Sequence, residues 1–341
     1  MDSHFSRHRI AVIGAGISGL SLAKALAERG LDVVVFDKAR GPGGRMSTRR
    51  SPEGHTFDHG AQFFTTHSPA FKARVEQWEA AGVVAPWQGR FATITADGSH
   101  PDTSARRRHV GVPRMSALTR HLARDLYLVT KTRIASLARR DGGWTLTCTD
   151  GTDYGAFSAV LSTAPAPQTM PLLAPHSAAL AQRASDAVMQ PCFCLMLAFD
   201  SPLPIRLDAA EVQVPPLGWI ARNSSKPGRS GEDCWVLHAD ADWSEAHCHD
   251  NPPSVHQAML TAFRALTNSP EPSWSSLHRW RYARATPPAE SAPTFLWDPA
   301  LGLGAAGDWL VGGRVESAWR SGMALSGAVL DWAERAATLR T

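Results

Sequence analysis

Residues 9–19 read RIAVIGAGISG, an apolar run that ends in three glycines with the spacing GxGxxG. Helical spacing follows from Leu20 to Arg29, and Leu31 to Phe36 is a second apolar, β-branched run. Strand, tight turn, helix and strand in this order form the βαβ unit of a parallel sheet. Glycines in such a turn allow the backbone to approach a pyrophosphate at a helix N-terminus. The opening of the chain therefore predicts an α/β, Rossmann-type dinucleotide-binding fold.

An acidic residue follows the second predicted strand where a bound ribose needs one. Asp37 lies 23 positions beyond Gly14, and its carboxylate can accept hydrogen bonds from a ribose diol. Just after it, Gly43-Gly44-Arg45 combines a second glycine pair with an arginine that can pair with phosphate. A plain NAD dehydrogenase has no need of this second pair. The pattern is typical of FAD enzymes.

Residues 57–64 read FDHGAQFF and predict one wall of a site. Gly60 and Ala61 would let the backbone approach a flat ring, with Gln62 and Phe63 along one side. His59 is interpreted as a packed histidine bonded to the backbone rather than as a catalytic base, because it lies among aromatic residues.

A second glycine-rich region lies near the end of the sequence. Gly307-Asp308 ends a predicted strand, and residues 312–317, GGRVES, lead into an alanine-rich helix predicted over Ser317–Ala337. The positive end of that helix would stabilise an anionic reduced flavin by about 0.3 to 2 kcal/mol. A capped helix with no ligand is the alternative, and the separate Gly-Asp pair favours FAD.

The composition argues against several classes of protein. Of 341 residues, 43% are hydrophobic and 19% charged, which is ordinary for a packed globular protein. The net charge of +4 is modest, so no nucleic-acid partner is predicted. Five cysteines without CxxC spacing predict neither a disulfide framework nor a metal site, and they favour a reducing, cytoplasmic location. No apolar run approaches the roughly 20 residues of a membrane helix, so no membrane partner is predicted.

Over nearly its whole length the sequence resembles the flavin amine oxidase superfamily and, within it, the renalase and bacterial renalase-like proteins. Two of the matching segments, Phe57–Phe64 and Trp280–Ala283, are specific to the renalase-like branch. The resemblance is carried by Gly14–Gly19, Asp37 with residues 41–46, Phe57–Phe64, Val112–Met115, Leu161–Pro165, Trp280–Ala283 and Gly307–Gly322.

The resemblance implies a bound FAD, and the lack of any cysteine after Cys248 implies that FAD is non-covalent. The residues expected to hold it are Gly14, Gly16, Ile17, Ser18, Gly19, Asp37, Lys38, Gly44, Arg45, Met46, Ala61, Gln62, Phe63, Ile134, Ala164, Gly307, Asp308, Val315 and Glu316.

The resemblance also implies an activity. Renalase-like enzymes oxidise dihydronicotinamide isomers of NAD(P)H, passing hydride to flavin N5 and then electrons to O2, which gives NAD(P)+ and hydrogen peroxide. Because the flavin accepts the hydride, no side chain is predicted to be catalytic. Aromatic walls suit a nicotinamide and arginine suits its pyrophosphate, although the tryptophans can equally be ordinary core. The candidate substrate residues are His278, Trp280, Arg281, Tyr282 and Trp319.

The sequence departs from the broader amine oxidases at one lysine. Those enzymes usually carry a lysine that holds a water near N5, on the strand that here spans Cys192–Phe199 and has none. Lys226 is the nearest later lysine, and in an apparent loop it is expected to meet solvent rather than a phosphate. Two alternatives stay open. One is amine oxidation or carbon–carbon desaturation, which a lysine near N5 would favour, and the other is a flavin-binding module without turnover.

The length predicts two domains, because single cores stop growing at roughly 250 to 300 residues. The FAD-binding domain is expected to be discontinuous, over residues 1–75, 110–165 and 300–341. A smaller α+β substrate domain is expected over 76–109 and 166–299, with the active site between the two.

Overall fold

A computed structural model describes residues 8–140, 143–229, 231, 233–289 and 291–338, with the backbone alone at 337 and 338. The strands are, in chain order, β1 (Arg9–Ile13), β2 (Asp32–Phe36), β3 (Arg49–Arg50), β4 (Thr56–Phe57), β5 (Val84–Pro86), β6 (Phe91–Thr95), β7 (Gly98–Pro101), β8 (His109–Gly111), β9 (Tyr127–Val129), β10 (Ile134–Arg140), β11 (Gly143–Cys148), β12 (Asp153–Phe157), β13 (Ala159–Ser162), β14 (Met189–Phe199), β15 (Ala209–Val214), β16 (Leu217–Arg222), β17 (Asp233–Ala239), β18 (Trp274–Ala285), β19 (Leu296–Asp298) and β20 (Leu303–Ala305).

The α-helices are α1 (Ile17–Ala27), α2 (Pro69–Ala80), α3 (Ser116–Leu122), α4 (Ala166–Leu173), α5 (Ala178–Ser185), α6 (Ala241–Ala246), α7 (Pro252–Thr267) and α8 (Val315–Thr338). Short 3-10 turns lie at Gly44–Met46, Asn223–Ser225 and Asp308–Leu310. Within the described residues, no helix combines the length and the apolar character that a membrane span needs.

The described residues form two compact units. The first unit contains the segments up to Gly44, from Thr119 to Met189 and from Ala285 onward, and the second contains Arg45–Leu118 and Gln190–Arg284. The domains expected from the sequence were defined by the ligand that each would bind, either cofactor or substrate, and these units are defined by packing. They therefore differ from these units, for example over residues 45–75, and they stay a prediction.

The first unit is built on a six-stranded sheet in the order β19-β20-β13-β1-β2-β9. Only its edge strand β19 is antiparallel to its neighbour; the other paired strands are parallel, with Val12 opposite both Val35 and Leu161. β1 and β2 are apolar and buried along most of their length, as parallel strands covered on both faces must be. The predicted α/β, Rossmann-type fold is confirmed.

Two helices of the first unit pack closely beside this sheet. A Cβ on Gly322 of α8 would lie 2.4 Å from the carbonyl oxygen of Ser18 on α1, so only glycine allows the two backbones to approach this far. A separate three-stranded sheet, β10-β11-β12, contributes Trp144 and Leu146 to the same unit's core.

The second unit contains a seven-stranded sheet in the order β18-β14-β17-β16-β15-β6-β7. Because side chains alternate along a strand, β14 divides its residues between two faces. Phe193, Leu195 and Leu197 pack with the apolar face of α7, including Met259 and Phe263. On the other face, the side chains that pack with Phe57 are Cys194, Met196, Ala198, Cys234 and Val236.

Candidate functional site

Four predicted cofactor-binding segments meet at one edge of the first unit's sheet. β1, β2, β13 and β20 run parallel, so their carboxyl ends lie at the same edge. Gly14 and Asp37 directly follow β1 and β2, while Ala164 and Gly307 follow β13 and β20 two residues on. The structure thus brings together residues from four distant parts of the sequence.

Different structural features explain the three glycines of the first turn. Gly14 has φ +113°, and a Cβ on it would lie 2.7 Å from Thr163 Oγ1. A Cβ on Gly19 would lie 2.0 Å from the carbonyl oxygen of Gly14. A Cβ on Gly16, in contrast, would meet no described atom within 4 Å. Gly14 and Gly19 are therefore required by packing, whereas the space beside Gly16 is open to a ligand.

The N-terminus of α1 offers polar groups to such a ligand. Its N-cap, Gly16, has no side chain to accept a hydrogen bond from the first helical N–H groups. The hydroxyl of Ser18 is buried and has no hydrogen-bond partner among the described residues. Free N–H groups at the positive end of a helix suit the FAD pyrophosphate. The residues present therefore fit the cofactor.

Backbone hydrogen bonds fix the carboxylate of Asp37. Its Oδ2 accepts from the N–H of Ala15 at 2.6 Å and its Oδ1 accepts from the N–H of Ala39 at 2.7 Å. Each oxygen keeps a second lone pair, which can accept from a ribose hydroxyl. The second glycine pair is tied to the same turn, because the N–H of Gly43 donates to the carbonyl of Ala15 at 2.9 Å.

The remaining cofactor candidates of the first unit lie in the segments around this edge. The N–H of Thr132, two residues before Ile134, donates to the carbonyl of Asp37 at 2.9 Å. Lys38 Nζ donates to Gln168 Oε1 at 3.1 Å. Val315 is the first residue of α8, and Asp308 and Glu316 are both buried near the start of that helix. Their contacts with FAD stay predictions.

In the second unit, the arginine of the Gly-Gly-Arg turn is joined to the loop 58–63. The carbonyl of Arg45 accepts from the N–H of Ala61 at 2.8 Å, and a Cβ on Gly60 would lie 2.0 Å from that oxygen. Arg45 Nη1 donates to the carbonyl of Ala283 on β18 at 3.1 Å. Met46 is buried, and the ring of Phe63 lies 5.4 Å from that of Trp219.

A group of buried polar side chains lies behind this loop; we call Asp58, Gln62, Asn223, Lys226 and Arg229 the Asp58 cluster. Lys226 Nζ donates to Gln62 Oε1 at 3.1 Å and to Asn223 Oδ1 at 3.2 Å, and lies 3.7 Å from Asp58 Oδ2. Arg229 Nη2 donates to the same Asp58 oxygen at 2.5 Å. The side chains of Asp58, Lys226 and Arg229 are 0 to 2% exposed.

The cluster holds more positive than negative charge. Burial by itself would raise the pKa of Asp58, but Lys226 and Arg229 outweigh it and lower that pKa. Burial lowers the pKa of Lys226 to about 8, with Asp58 acting in the opposite direction. Near neutral pH, two cations therefore face one carboxylate.

The expectation that Lys226 meets solvent is wrong. The 3-10 turn at Asn223–Ser225 follows β16 directly, and Lys226, the next residue, is buried. The ammonium group consequently lies 5.3 Å from the centre of the Trp87 ring, and it is close enough to the Cys194 thiol to affect that group's pKa. Sequence reasoning missed Lys226 because nothing in a polar, glycine-flanked stretch marks one lysine as buried.

A second group, the His59 cluster, consists of His59, His238, His278 and Trp280. The ring of His59 lies 5.0 Å from that of His278 and 4.9 Å from that of Trp280. Trp280 Nε1 and His238 Nε2 both donate to the carbonyl of His59, at 2.9 and 3.2 Å. His59 is thus packed among aromatic rings, and its lack of a catalytic role stays a prediction.

The histidines of this cluster are neutral at pH 7. Burial, followed by the neighbouring His278, lowers the pKa of His59 to about 3. Burial lowers the pKa of His238 to about 4 and also lowers that of His278. The exposed Arg49 adds to the effect on both His59 and His278. The cluster therefore presents uncharged aromatic surface in a positive electrostatic environment.

The structure divides the predicted substrate residues. His278 and Trp280 lie together on β18 in the His59 cluster. Arg281, the next residue on the strand, is exposed and lies on the opposite face from Trp280, because neighbouring side chains alternate. Tyr282 is half-buried. Trp319 belongs to α8 in the first unit and is buried there.

Two family models match the chain. One, described as an NAD(P)-binding Rossmann-like domain, matches residues 12–78. The other, described as flavin-containing amine oxidoreductase, matches residues 89–330, more than two thirds of the sequence.

Curated relatives match over a shorter length. A ζ-carotene-forming phytoene desaturase from Myxococcus xanthus is 47% identical over 60 residues, which are 18% of this chain and 11% of the desaturase. A mitochondrial protoporphyrinogen oxidase from Nicotiana tabacum is 44% identical over 64 residues, 19% of this chain and 12% of that protein. The matches thus span only about a tenth of these relatives.

Solved structures share the fold over most of the chain. Cyclohexylamine oxidase from Brevibacterium oxydans IH-35A superposes with a TM-score of 0.74 at 14% identity, covering 96% of this chain and 99% of the oxidase. A protein from Exiguobacterium sp. 255-15, provisionally named a protoporphyrinogen oxidase, gives a TM-score of 0.76 at 14% identity, with 95% and 99% covered.

Proposed function

The chain belongs to the flavin-containing amine oxidoreductases, and we propose that, among these FAD-dependent enzymes, it is a renalase-like oxidase. Its proposed substrates are NAD(P)H isomers that are reduced at a nicotinamide carbon other than C4. The bound FAD supplies the hydride acceptor, its N5 atom. Substrate, O2 and one proton are then converted to NAD(P)+ and hydrogen peroxide.

The observation that carries this proposal is the uncharged His59 cluster beside Arg49. Neutral rings of histidine and tryptophan suit a flat nicotinamide. Burial lowers the pKa of His59 and His278 and the nearby Arg49 adds to it; the charge of this arginine would favour an anionic dinucleotide and disfavour a cationic amine. His278 and Trp280 are the residues proposed to contact the nicotinamide, and their role is to position it.

The residues proposed for the cofactor have distinct tasks. The N–H groups at Gly16–Ser18 would bind the pyrophosphate, and Asp37 would accept from the ribose. Ala61, Gln62 and Phe63 would contact the flavin. We propose that FAD is held non-covalently and that the reaction needs no general base, since the substrate gives up a hydride and no proton.

Anaerobic mixing of the FAD-loaded protein with a mixture of dihydronicotinamide isomers tests the proposal. Flavin absorbance should fall rapidly with the isomers and not with ordinary NADH or a panel of amines. A His278→Ala variant should retain FAD, but its flavin should be reduced more slowly by the isomers. Reduction by amines alone would contradict the proposed substrate class.

Amine oxidation or carbon–carbon desaturation is the second candidate, and one observation favours it. Lys226 is close enough to Cys194 to affect the pKa of its thiol, and Cys194 lies on β14, the strand on which the broader amine oxidases usually carry a lysine near N5. A lysine from another segment would thus replace the missing one. In that case amines would reduce the flavin, and Lys226→Met would slow this reduction.

A further inference from the structure

Lys226 is a buried cation that Asp58 does not need for neutralisation. The Asp58 carboxylate already accepts from Arg229 Nη2 at 2.5 Å, from the N–H of Met115 at 3.0 Å and from Thr48 Oγ1 at 2.7 Å. A second fully buried cation adds a large desolvation cost to a carboxylate that is already paired. The reason for Lys226 must therefore lie in its other contacts.

Those other contacts are two side-chain amides that hold the backbone around Asp58. Lys226 donates to Gln62 Oε1 and to Asn223 Oδ1. Gln62 Nε2 in turn donates to the carbonyls of Asp58 and Gly60. Asn223 Nδ2 donates to the carbonyl of Thr56 at 2.9 Å. The lysine is thereby linked to the loop through two amides: Gln62 reaches the carbonyls of Asp58 and Gly60, and Asn223 reaches that of Thr56.

The hydrogen bond donated by Lys226 determines which way the Gln62 amide points. A lysine ammonium group is a donor only, so it requires the amide oxygen to face it. The amide NH2 group is then directed at the two backbone carbonyls, which require a donor. With an apolar residue at position 226, the amide oxygen would be buried without this partner, and the amide would no longer be held in one orientation.

We propose that Lys226 is a positioning residue, which orients Gln62 and so holds residues 58–62 in the conformation that binds FAD. This inference rests on the proposed assignment of Ala61, Gln62 and Phe63 to the cofactor. It assigns to Lys226 a role in cofactor affinity that is independent of which substrate is oxidised.

A double-mutant cycle on the full-length apoprotein tests this role by measuring the Kd for FAD. Lys226→Met and Gln62→Met should each raise the Kd about tenfold or more, the scale expected for losing a hydrogen bond to a charged group. The Kd of the double variant should be no higher than that of the single variant that binds FAD more weakly, because both changes remove the same interaction. Lys72→Met, at an exposed lysine of α2, is the matched control and should leave the Kd unchanged.

Lys226→Gln is a second variant, which tests the proposal even if Lys226→Met does not fold. Glutamine is neutral but keeps an N–H donor for Gln62, so this variant should recover most of the FAD affinity. A purely structural lysine would lower the unfolding temperature of the apoprotein without changing the Kd of the folded protein. That result, or multiplicative effects in the double variant, would overturn the proposal. No substrate enters these measurements, so failure of the proposed substrate class would leave their outcome unchanged.

Discussion

The edge of the parallel sheet in the first unit and the Asp58 cluster in the second are made of different parts. Around Gly14, Gly16 and Gly19 the site consists of backbone N–H groups and of space that side chains would fill. In the Asp58 cluster, side chains from positions 164 and 171 residues apart meet in the interior. The first region should therefore be sensitive to an added methyl group, and the second to the loss of a charge.

The largest effect is expected from Asp58→Asn, which would leave Lys226 and Arg229 buried without a counter-charge. Removing one partner of a buried ion pair costs about 3 to 5 kcal/mol in the free energy of unfolding. The control is Asp32→Asn in the first unit, where the pair with Arg9 is largely exposed and contributes less than about 1 kcal/mol. Urea unfolding measures both variants. Equal, small losses would mean that the Asp58 cluster does not stabilise the fold.

The next largest effect separates two glycines of the same turn. Gly19→Ala forces a Cβ against the carbonyl of Gly14 and should cost about 1 to 3 kcal/mol of stability through overpacking. Gly16→Ala meets no described atom, so apoprotein stability should change by less than about 0.5 kcal/mol.

FAD binding gives a second measurement on the same two variants. Gly16→Ala should raise the Kd for FAD by about tenfold or more, since its methyl group would occupy the space proposed for the pyrophosphate. Thermal unfolding and FAD titration of the apoprotein distinguish the two glycines. Full FAD affinity in Gly16→Ala would place the pyrophosphate elsewhere.

Acid should destabilise the second unit through its histidines. The pKa values of His59 and His238 are lowered to about 3 and about 4 in the folded protein, from 6.5 when exposed. Between those values and pH 6.5 the unfolded chain binds more protons, so the free energy of unfolding falls as the pH falls. His238→Gln keeps a donor for the His59 carbonyl and should reduce that slope by up to about 1.4 kcal/mol per pH unit. An unchanged slope would show that His238 is accessible to protons in the folded state.

Stability should also rise with pH at the alkaline end of the scale, through Lys226. Its pKa is lowered from 10.5 to about 8, so the folded state releases this proton first as the pH rises. The wild type should therefore gain stability between pH 8 and 10.5, and Lys226→Met should lack this gain. Lys72→Met, exposed on α2, should retain it. Parallel stability curves for wild type and Lys226→Met would contradict the lowered pKa.

Much of the fold was predictable from local patterns. The helical spacing from Leu20 to Arg29 corresponds to α1, which spans Ile17–Ala27 and buries Leu20, Leu22 and Leu26. The long helix predicted over Ser317–Ala337 is α8, which begins two residues earlier. Such elements are readable because burying one face imposes a period on the sequence.

The candidate sites were predictable to different degrees. Gly14, Asp37, Ala164 and Gly307 meet at one sheet edge because each follows a parallel strand, and strand order can be inferred from a βαβ pattern. Arg281 was grouped with Trp280 because an arginine suits the pyrophosphate of a dinucleotide, but neighbouring residues of a strand face opposite sides. The burial of Lys226 and its contact with Gln62 left no periodic signal in the sequence.

The sequence by itself determined the nucleotide-binding turn, because its requirements are local: a left-handed backbone at Gly14 and close approach of the helix at Gly19 both demand glycine. The family, the α/β class and the identity of FAD follow from that turn and its companion motifs. Only the tertiary structure decided that Lys226 is a buried partner of Gln62 and that His59 is a neutral ring. Protonation and hydrogen bonding of a side chain depend on burial and on neighbours within a few ångströms, and here those neighbours come from segments more than 160 residues apart.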